Sequence, residues 1–305
     1  MEPKKILQTC IEFGSLKRPL FIPLIFSYGA RAQQLDLRAF YEDATKIANT
    51  IFRVWSYFRY DGLINYLDTT LELEALGCKV TWSEDKFKVT ELLRPDNLDY
   101  KNVEVKGRVP VAIEVVRRLK GMVRDQAIVA GVLTGPSTLL VEYSRLKGAK
   151  ELPQQFIEAA TKIGRAYCEA GADLILVIEK EPIDVLLLSD YVKFLSPLKN
   201  VVRFYESYLI LFLKGGADLR RVSTLQDCVD GVVISNIDQL PSKLLKIPLG
   251  TTITNKVLID KNCLLNFLKR STWVKSFFIL STEDEVISLN AENLKLLIDS
   301  IKQLS

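Results

Sequence analysis

A carboxylate follows directly on the apolar run "GLINYL": Asp68 comes after Leu67 and is followed by two threonines. Removing a charge from water is unfavourable unless it is paired or used, so an acid at the end of a buried strand invites a chemical reading. Other polar groups also follow apolar runs. Tyr28 and Arg31 lie in "SYGARAQQ", and Ser137, Thr138, Glu142 and Tyr143 in "TGPSTLLVEY". Glu179, Lys180 and Glu181 lie in "EKEP", Lys214 in "KGGAD", Asn255 and Lys256 in "TTITNKVL", and Glu283 and Asp284 in "STEDE". Together they make a mixed ring of acids and bases. Arg31, Lys214 and Lys256 suit an anionic small molecule, and the glycine pair of "KGGAD" is placed to aim backbone N–H groups at it. Charges at such a rim also pair with one another, so no single lysine or glutamate decides the matter.

Composition removes several chemistries. The 305 residues include no histidine. That excludes Ser-His and Cys-His nucleophile pairs and any zinc site that needs imidazole. Five cysteines (Cys10, Cys78, Cys168, Cys228 and Cys263) are dispersed, which argues against disulfides and CxxC-type sites. A net charge of +4 is too weak to argue for nucleic acid or a membrane surface. The N-terminal stretch "MEPKKILQTCIEFG" has no long apolar segment, and "LFIPLIF" and "YLILFL" are too short to span a bilayer, so a cytoplasmic location is expected.

The elements that must position these groups alternate along the chain. Apolar runs predict strands at "LFIPLIF", "GLINYL", "AIVAGVL", "DLILVIE", "YLILFL", "GVVIS", "TTITNKVL" and "VKSFFIL". Between them, three- and four-residue spacing of apolar side chains predicts helices. One spans Asp36–Phe58, with Asp36 as N-cap; others are "RVPVAIEVVRRLKG", "PQQFIEAATKIGRAYCEAG", "IDVLLLSDYVKFL", "GADLRRVSTLQD", a poor one broken by Pro241, "DKNCLLNFLKR" and "NAENLKLLIDSIKQL". Strands that are apolar throughout, alternating with helices, imply a parallel sheet covered by helices. Eight such units predict an α/β fold, a single-domain (β/α)8 TIM barrel over residues 1–305, whose active site lies at the C-terminal ends of the strands. An excursion over residues 69–107 interrupts the alternation. Its "KVTW-SED-KFKVT" predicts a β-hairpin, either a lid or a dimer contact.

Three segments, in order, carry a family resemblance. "YDGLINYLDTTLELEALGCKVTW" resembles the strand, acid, Ala-Leu-Gly turn and Val-Thr strand of uroporphyrinogen decarboxylases. "VPVAIEVVRRLKGMVRDQAIVAGVLTGPSTLLVEY" is similar to that family's next helix, strand and Gly-x-Pro-x-Thr-Leu turn, and "SLNAENLKLLIDSIKQ" to its C-terminal helix. The resemblance implies a (β/α)8 barrel, often a homodimer, and decarboxylation of a tetrapyrrole or related pyrrole with no cofactor and no metal. It places Asp68 on the aspartate that receives pyrrole N–H groups and stabilises the protonated ring. Arg31 matches the second arginine of the first loop, and the first falls near Phe26 or Ser27. A tyrosine of the family falls on Glu142, one residue before Tyr143, and its histidine falls near Glu283.

On this reading Asp68, Arg31 and Tyr143 are catalytic, and Tyr28, Glu142, Glu179, Lys214, Lys256 and Glu283 bind substrate. The alternative is a non-catalytic tetrapyrrole- or corrinoid-binding protein, or a methyltransferase partner, that keeps the barrel but has lost part of the site. The superfamily's zinc-dependent methyltransferases use His and Cys ligands. The chain has no histidine, and no cysteine falls in the strand-end segments above.

Overall fold

Ten strands are laid down in chain order: β1 (Leu20–Phe21), β2 (Gly62–Ile64), β3 (Lys79–Ser83), β4 (Lys86–Glu91), β5 (Ile128–Thr134), β6 (Leu174–Glu179), β7 (Tyr208–Leu213), β8 (Gly231–Ile234), β9 (Leu249–Ile253) and β10 (Ile279–Thr282). The computed structural model describes residues 2–14, 18–147, 151–215, 217–235, 245–269 and 276–304. All strands but β3 and β4 pair in parallel in the order β1-β10-β9-β8-β7-β6-β5-β2. The two ends of that order meet, because the Asp61 N–H donates to the Phe21 carbonyl at 3.0 Å. The Asp61 carboxylate then receives the Phe21 N–H at 2.8 Å and both ends of the Arg18 guanidinium at 2.8 Å. The seam is therefore locked by a buried bidentate ion pair, and the sheet is a (β/α)8 barrel.

The strands are buried along almost their whole length, as parallel strands covered by helices must be. Inside the barrel, Ile22, Leu176, Phe212, Val233, Ile279 and Ser281 leave a void of about 10 Å³. That is at most one water's worth of space, so the interior is a packed core and offers no channel. Polar chemistry is consequently confined to the strand ends.

Local chemistry explains where elements depart from expectation. The single helix expected over Asp36–Phe58 is two, Leu37–Tyr41 and Ala44–Phe58. Asp36 caps the first through the Ala39 N–H at 2.7 Å. Asp43 caps the second through the Thr45 and Lys46 N–H groups at 2.8 and 3.0 Å, restarting the helix where the apolar spacing runs on unbroken. The "TGPST" segment, read as a turn, opens a helix at Pro136–Lys147. The helix expected at "GADLRRVSTLQD" shrinks to Leu219–Ser223 and a 3₁₀ turn at Gln226–Cys228. Its N-terminus is capped by the Asp218 side chain, which takes the Arg220 N–H at 2.9 Å, so it is not offered to an anion. Gly216, half of the glycine pair, lies outside the described residues, as does most of the helix expected around Pro241.

The excursion forms the expected hairpin from β3 and β4, with Glu84 and Asp85 at φ of 53° and 59° in the tight two-residue turn. Trp82 and Phe87 face each other across the strands, ring centroids 4.8 Å apart, and both pack on Tyr41. The hairpin is thereby anchored by aromatic contacts to the end of the helix Leu37–Tyr41. No helix among the described residues is long and apolar enough to cross a membrane.

Candidate functional site

A cleft of about 370 Å³ opens at the C-terminal ends of the strands. Its wall takes Arg31 from the short helix Tyr28–Ala32 that follows β1, Asp68 from the loop after β2 and Lys180 from the end of β6. Lys214 follows β7, and Asp284 and Glu285 follow β10. The hairpin turn supplies Glu84, Asp85, Lys86 and Phe87, so the excursion forms one side of the cleft within this chain.

Asp68 is held from two sides. Its Oδ1 accepts the Thr70 N–H and hydroxyl, both at 2.9 Å, and its Oδ2 accepts from Arg108 in a close ion pair. The Asp68 and Arg108 side chains are only 7% and 6% exposed, so each needs the other. Arg108 is the hub of this cluster. Its Nε donates to Glu74 at 2.8 Å and its Nη2 to the Thr70 hydroxyl at 2.9 Å. Its guanidinium lies 3.5 Å from the centroid of the Phe87 ring, on the hairpin. Burial works against the charge of Arg108, but Asp68, Tyr66 and Glu74 outweigh it and hold its pKa above the ordinary value. The charged guanidinium and the two Thr70 donors together fix the Asp68 carboxylate at the wall of the cleft.

The cleft's cations differ in how they are partnered. Arg31 reaches Asp85 on the hairpin turn at 3.3 Å and the Ser27 hydroxyl at 3.2 Å. Ser27 in turn donates through its N–H and hydroxyl to Glu285, at 2.8 and 2.5 Å. Lys214 pairs with Asp284. Lys180 has no carboxylate within ion-pair distance among the described residues. It is open to solvent within the concavity, yet flanked by enough protein that desolvation, and then the charge of Lys214, lowers its pKa. The Tyr41 hydroxyl, whose pKa is raised by burial and by Glu285 and Asp68, remains a neutral hydrogen-bond donor at the edge of the cleft.

Of the residues singled out in the sequence, Asp68, Arg31, Lys180, Lys214 and Asp284 come together here. Tyr143 does not. It is buried against Phe156, and its hydroxyl donates to the Leu93 carbonyl at 2.7 Å. Glu179 is also withdrawn from the cleft. It is fully buried and accepts four hydrogen bonds: the Ser137 N–H at 2.8 Å, the Thr138 N–H at 2.9 Å, the Thr138 hydroxyl at 2.7 Å and the Tyr191 hydroxyl at 2.8 Å. It caps the Pro136–Lys147 helix, a structural use of an acid at a strand end. Tyr28, Glu142, Lys256 and Glu283 are near the strand ends but are not among the residues that line the cleft. The residues that sequence reasoning passed over are Arg108, Tyr41 and Glu285; the hairpin was expected, with its place left open between a lid and a dimer contact. The only local signal for Arg108 was its place just before the Val-Pro start of a helix.

The cleft's donors are carboxylates, amines and a guanidinium. It includes no cysteine, and no group of three or more potential metal ligands lies together among the described residues. A zinc site of the thiolate-activating kind does not fit this set.

A family model described as uroporphyrinogen decarboxylase (URO-D) matches residues 15–250. Among solved structures, a methyltransferase from Methanosarcina mazei has a TM-score of 0.80 at 16% identity, over 99% of each chain. A B12-independent methionine synthase from Shewanella sp. W3-18-1 has a TM-score of 0.54 at 12% identity, over 94% of each chain. At these identities the likeness speaks for the fold alone. No curated protein matches the chain.

Proposed function

Because the chain belongs to the uroporphyrinogen decarboxylase family, we propose that its cleft binds a pyrrole carboxylic acid and removes a carboxylate from it without a cofactor. The observation that carries this reading is the pairing of Asp68 with Arg108: a carboxylate held by a buried guanidinium in the loop after β2, on the wall of the cleft. Decarboxylation exchanges a carboxylate for a proton, releasing carbon dioxide. When the ring takes up a proton, positive charge develops on the pyrrole, and Asp68 stabilises it through the ring N–H. The C–C bond then breaks, its electron pair neutralises the ring, and a second proton transfer restores the aromatic product. Lys180, with its lowered pKa, supplies a proton donor in a chain that has no histidine.

Cleft size and charge favour a ligand smaller than a tetrapyrrole. A volume of about 370 Å³ lies near the lower end of the roughly 300–1,000 Å³ usual for ligand sites. Five carboxylates line it (Asp68, Glu84, Asp85, Asp284 and Glu285) against four cations (Arg31, Lys86, Lys180 and Lys214). A molecule with eight carboxylates would meet net repulsion there. The same balance favours a second reading, a protein that binds such a ligand without turning it over.

The test is anaerobic incubation with uroporphyrinogen and, separately, with a single-ring pyrrole bearing acetate and propionate side chains, with products separated by carboxylate count. The single-ring acid loses a carboxylate, and Asp68→Asn abolishes the loss. Unchanged turnover in Asp68→Asn would remove Asp68 from the chemistry. Binding without any product would establish the second reading.

A further inference from the structure

Two of the cleft's ion pairs are lopsided. The Arg31 and Lys214 side chains are 32% and 15% exposed, sunk in the cleft wall. Their partners, Asp85 and Asp284, are 63% and 68% exposed. Each acid side chain makes that one ion pair and no other hydrogen bond among the described residues, and each sits on a rim segment: Asp85 on the hairpin turn, Asp284 in the loop after β10. Arg31 has a further anchor in Ser27, so its position does not depend on Asp85. The arrangement is the reverse of the Arg108 cluster, where both charges are buried and each is held by several groups.

From this asymmetry we infer that Asp85 and Asp284 are exchangeable stand-ins for the carboxylates of a ligand. They occupy Arg31 and Lys214 until a compound with two carboxylates displaces them. The inference rests on the reading of the cleft as a carboxylate site and adds what fills it when substrate is absent. Exchange is inexpensive, since an ion pair whose acid stands largely in solvent contributes little. An incoming carboxylate restores the partner that each sunken cation needs, and Lys180 is available to a third. Displacing Asp85 also frees the hairpin turn from Arg31, so ligand entry and hairpin position are coupled. Trp82, packed on Phe87 and Tyr41, reports that change.

The two stand-ins act as built-in competitors, which reverses the usual sign of a binding-site substitution. The experiment titrates the intact protein with glutarate, citrate and the single-ring pyrrole acid, following Trp82 fluorescence and calorimetry. Asp85→Asn and Asp284→Asn should each tighten binding about two- to fivefold, the range of one exposed ion pair. The double variant should show the product, and Arg31→Gln or Lys214→Gln should weaken binding. Asp85→Ser, with a shorter side chain, should behave as Asp85→Asn. Unchanged or weaker binding in the Asp variants would overturn the inference. No binding of any carboxylate by wild type or variants would overturn both it and the proposed function. Tighter binding with no turnover would leave it standing and remove only the decarboxylase.

Discussion

Arg108→Leu tests whether the charge of Asp68 is held by one buried partner. The substitution deletes two ion pairs, with Asp68 and Glu74, hydrogen bonds to the Thr70 and Tyr66 hydroxyls and the contact with the Phe87 ring. It leaves an almost fully buried carboxylate with only the two Thr70 donors. Removing one partner of a buried pair costs about 3–5 kcal/mol. Against a total stability of about 5–15 kcal/mol that is severe. Asp68→Asn should cost less, about 1.5–3 kcal/mol, because Arg108 keeps Glu74. In the Arg108→Leu/Asp68→Asn double variant no carboxylate is stranded at residue 68. Its loss should therefore fall short of the sum of the single losses by at least about 1.5 kcal/mol. Urea titration at fixed pH measures all three, with the slope checked for constancy. Arg108→Lys, which keeps the charge but loses the fork, is the milder variant if Arg108→Leu does not fold. A loss below about 1 kcal/mol for Arg108→Leu, or additivity within about 0.5 kcal/mol, would refute the claim that this pair fixes the Asp68 carboxylate in the loop after β2.

Two further outcomes follow from the buried acids. Burial pushes the Glu72 and Glu179 carboxyls up to about 7, whereas a glutamate in the unfolded chain titrates near 4.5. Between those values the folded state keeps protons that the unfolded state has released, so stability should fall as pH rises from about 4.5 to 7 and level off above. Each acid contributes on the order of 3 kcal/mol to that slope. Urea midpoints at pH 5 and pH 8 should converge in Glu72→Gln and Glu179→Gln, and a slope equal to wild type in both would contradict this. Gly135→Ala would place a Cβ 2.3 Å from the Glu179 Cδ, in a side chain fixed by four hydrogen bonds, and should destabilise by about 1–3 kcal/mol. A loss below about 0.5 kcal/mol in urea would mean Glu179 is free to move aside.

The barrel was legible because buried parallel strands leave short, wholly apolar blocks in the sequence, and those blocks set the alternation. Asp68 was legible for the same reason: a lone acid closing an apolar block stands out. Arg108 was hidden, since it lies 40 residues further along and meets Asp68 only when the excursion folds back. Its neighbours, Val109 and Pro110, show a helix start and nothing about what the arginine will face. Asp43 escaped notice because the apolar spacing of two successive helices continues in phase across it. Glu179 looked like a rim residue because an acid at a strand end can point up into the cleft or sideways to cap a helix, and only the packing of Tyr191 and Thr138 decides between them. The hairpin could be read from its turn, but its seat beside Arg31 depends on aromatic contacts from Tyr41 in another part of the chain.

The seam between β1 and β2 bears on how the chain acquires its shape. Leu20 pairs with Ile279, so one of the earliest strands waits for the last described one. As the chain emerges from the ribosome, β5 to β9 can zip together as an open sheet, each strand beside its predecessor. During that time β1 and β9 present bare peptide edges to solvent, the surfaces most prone to pair with a neighbouring chain. β10 is the keystone: it satisfies both edges at once, bonding to Thr251–Ile253 on one side and Leu20–Phe21 on the other. So long-range a closure makes folding slow, and it concentrates the risk of aggregation in the interval before residues 279–282 are in place.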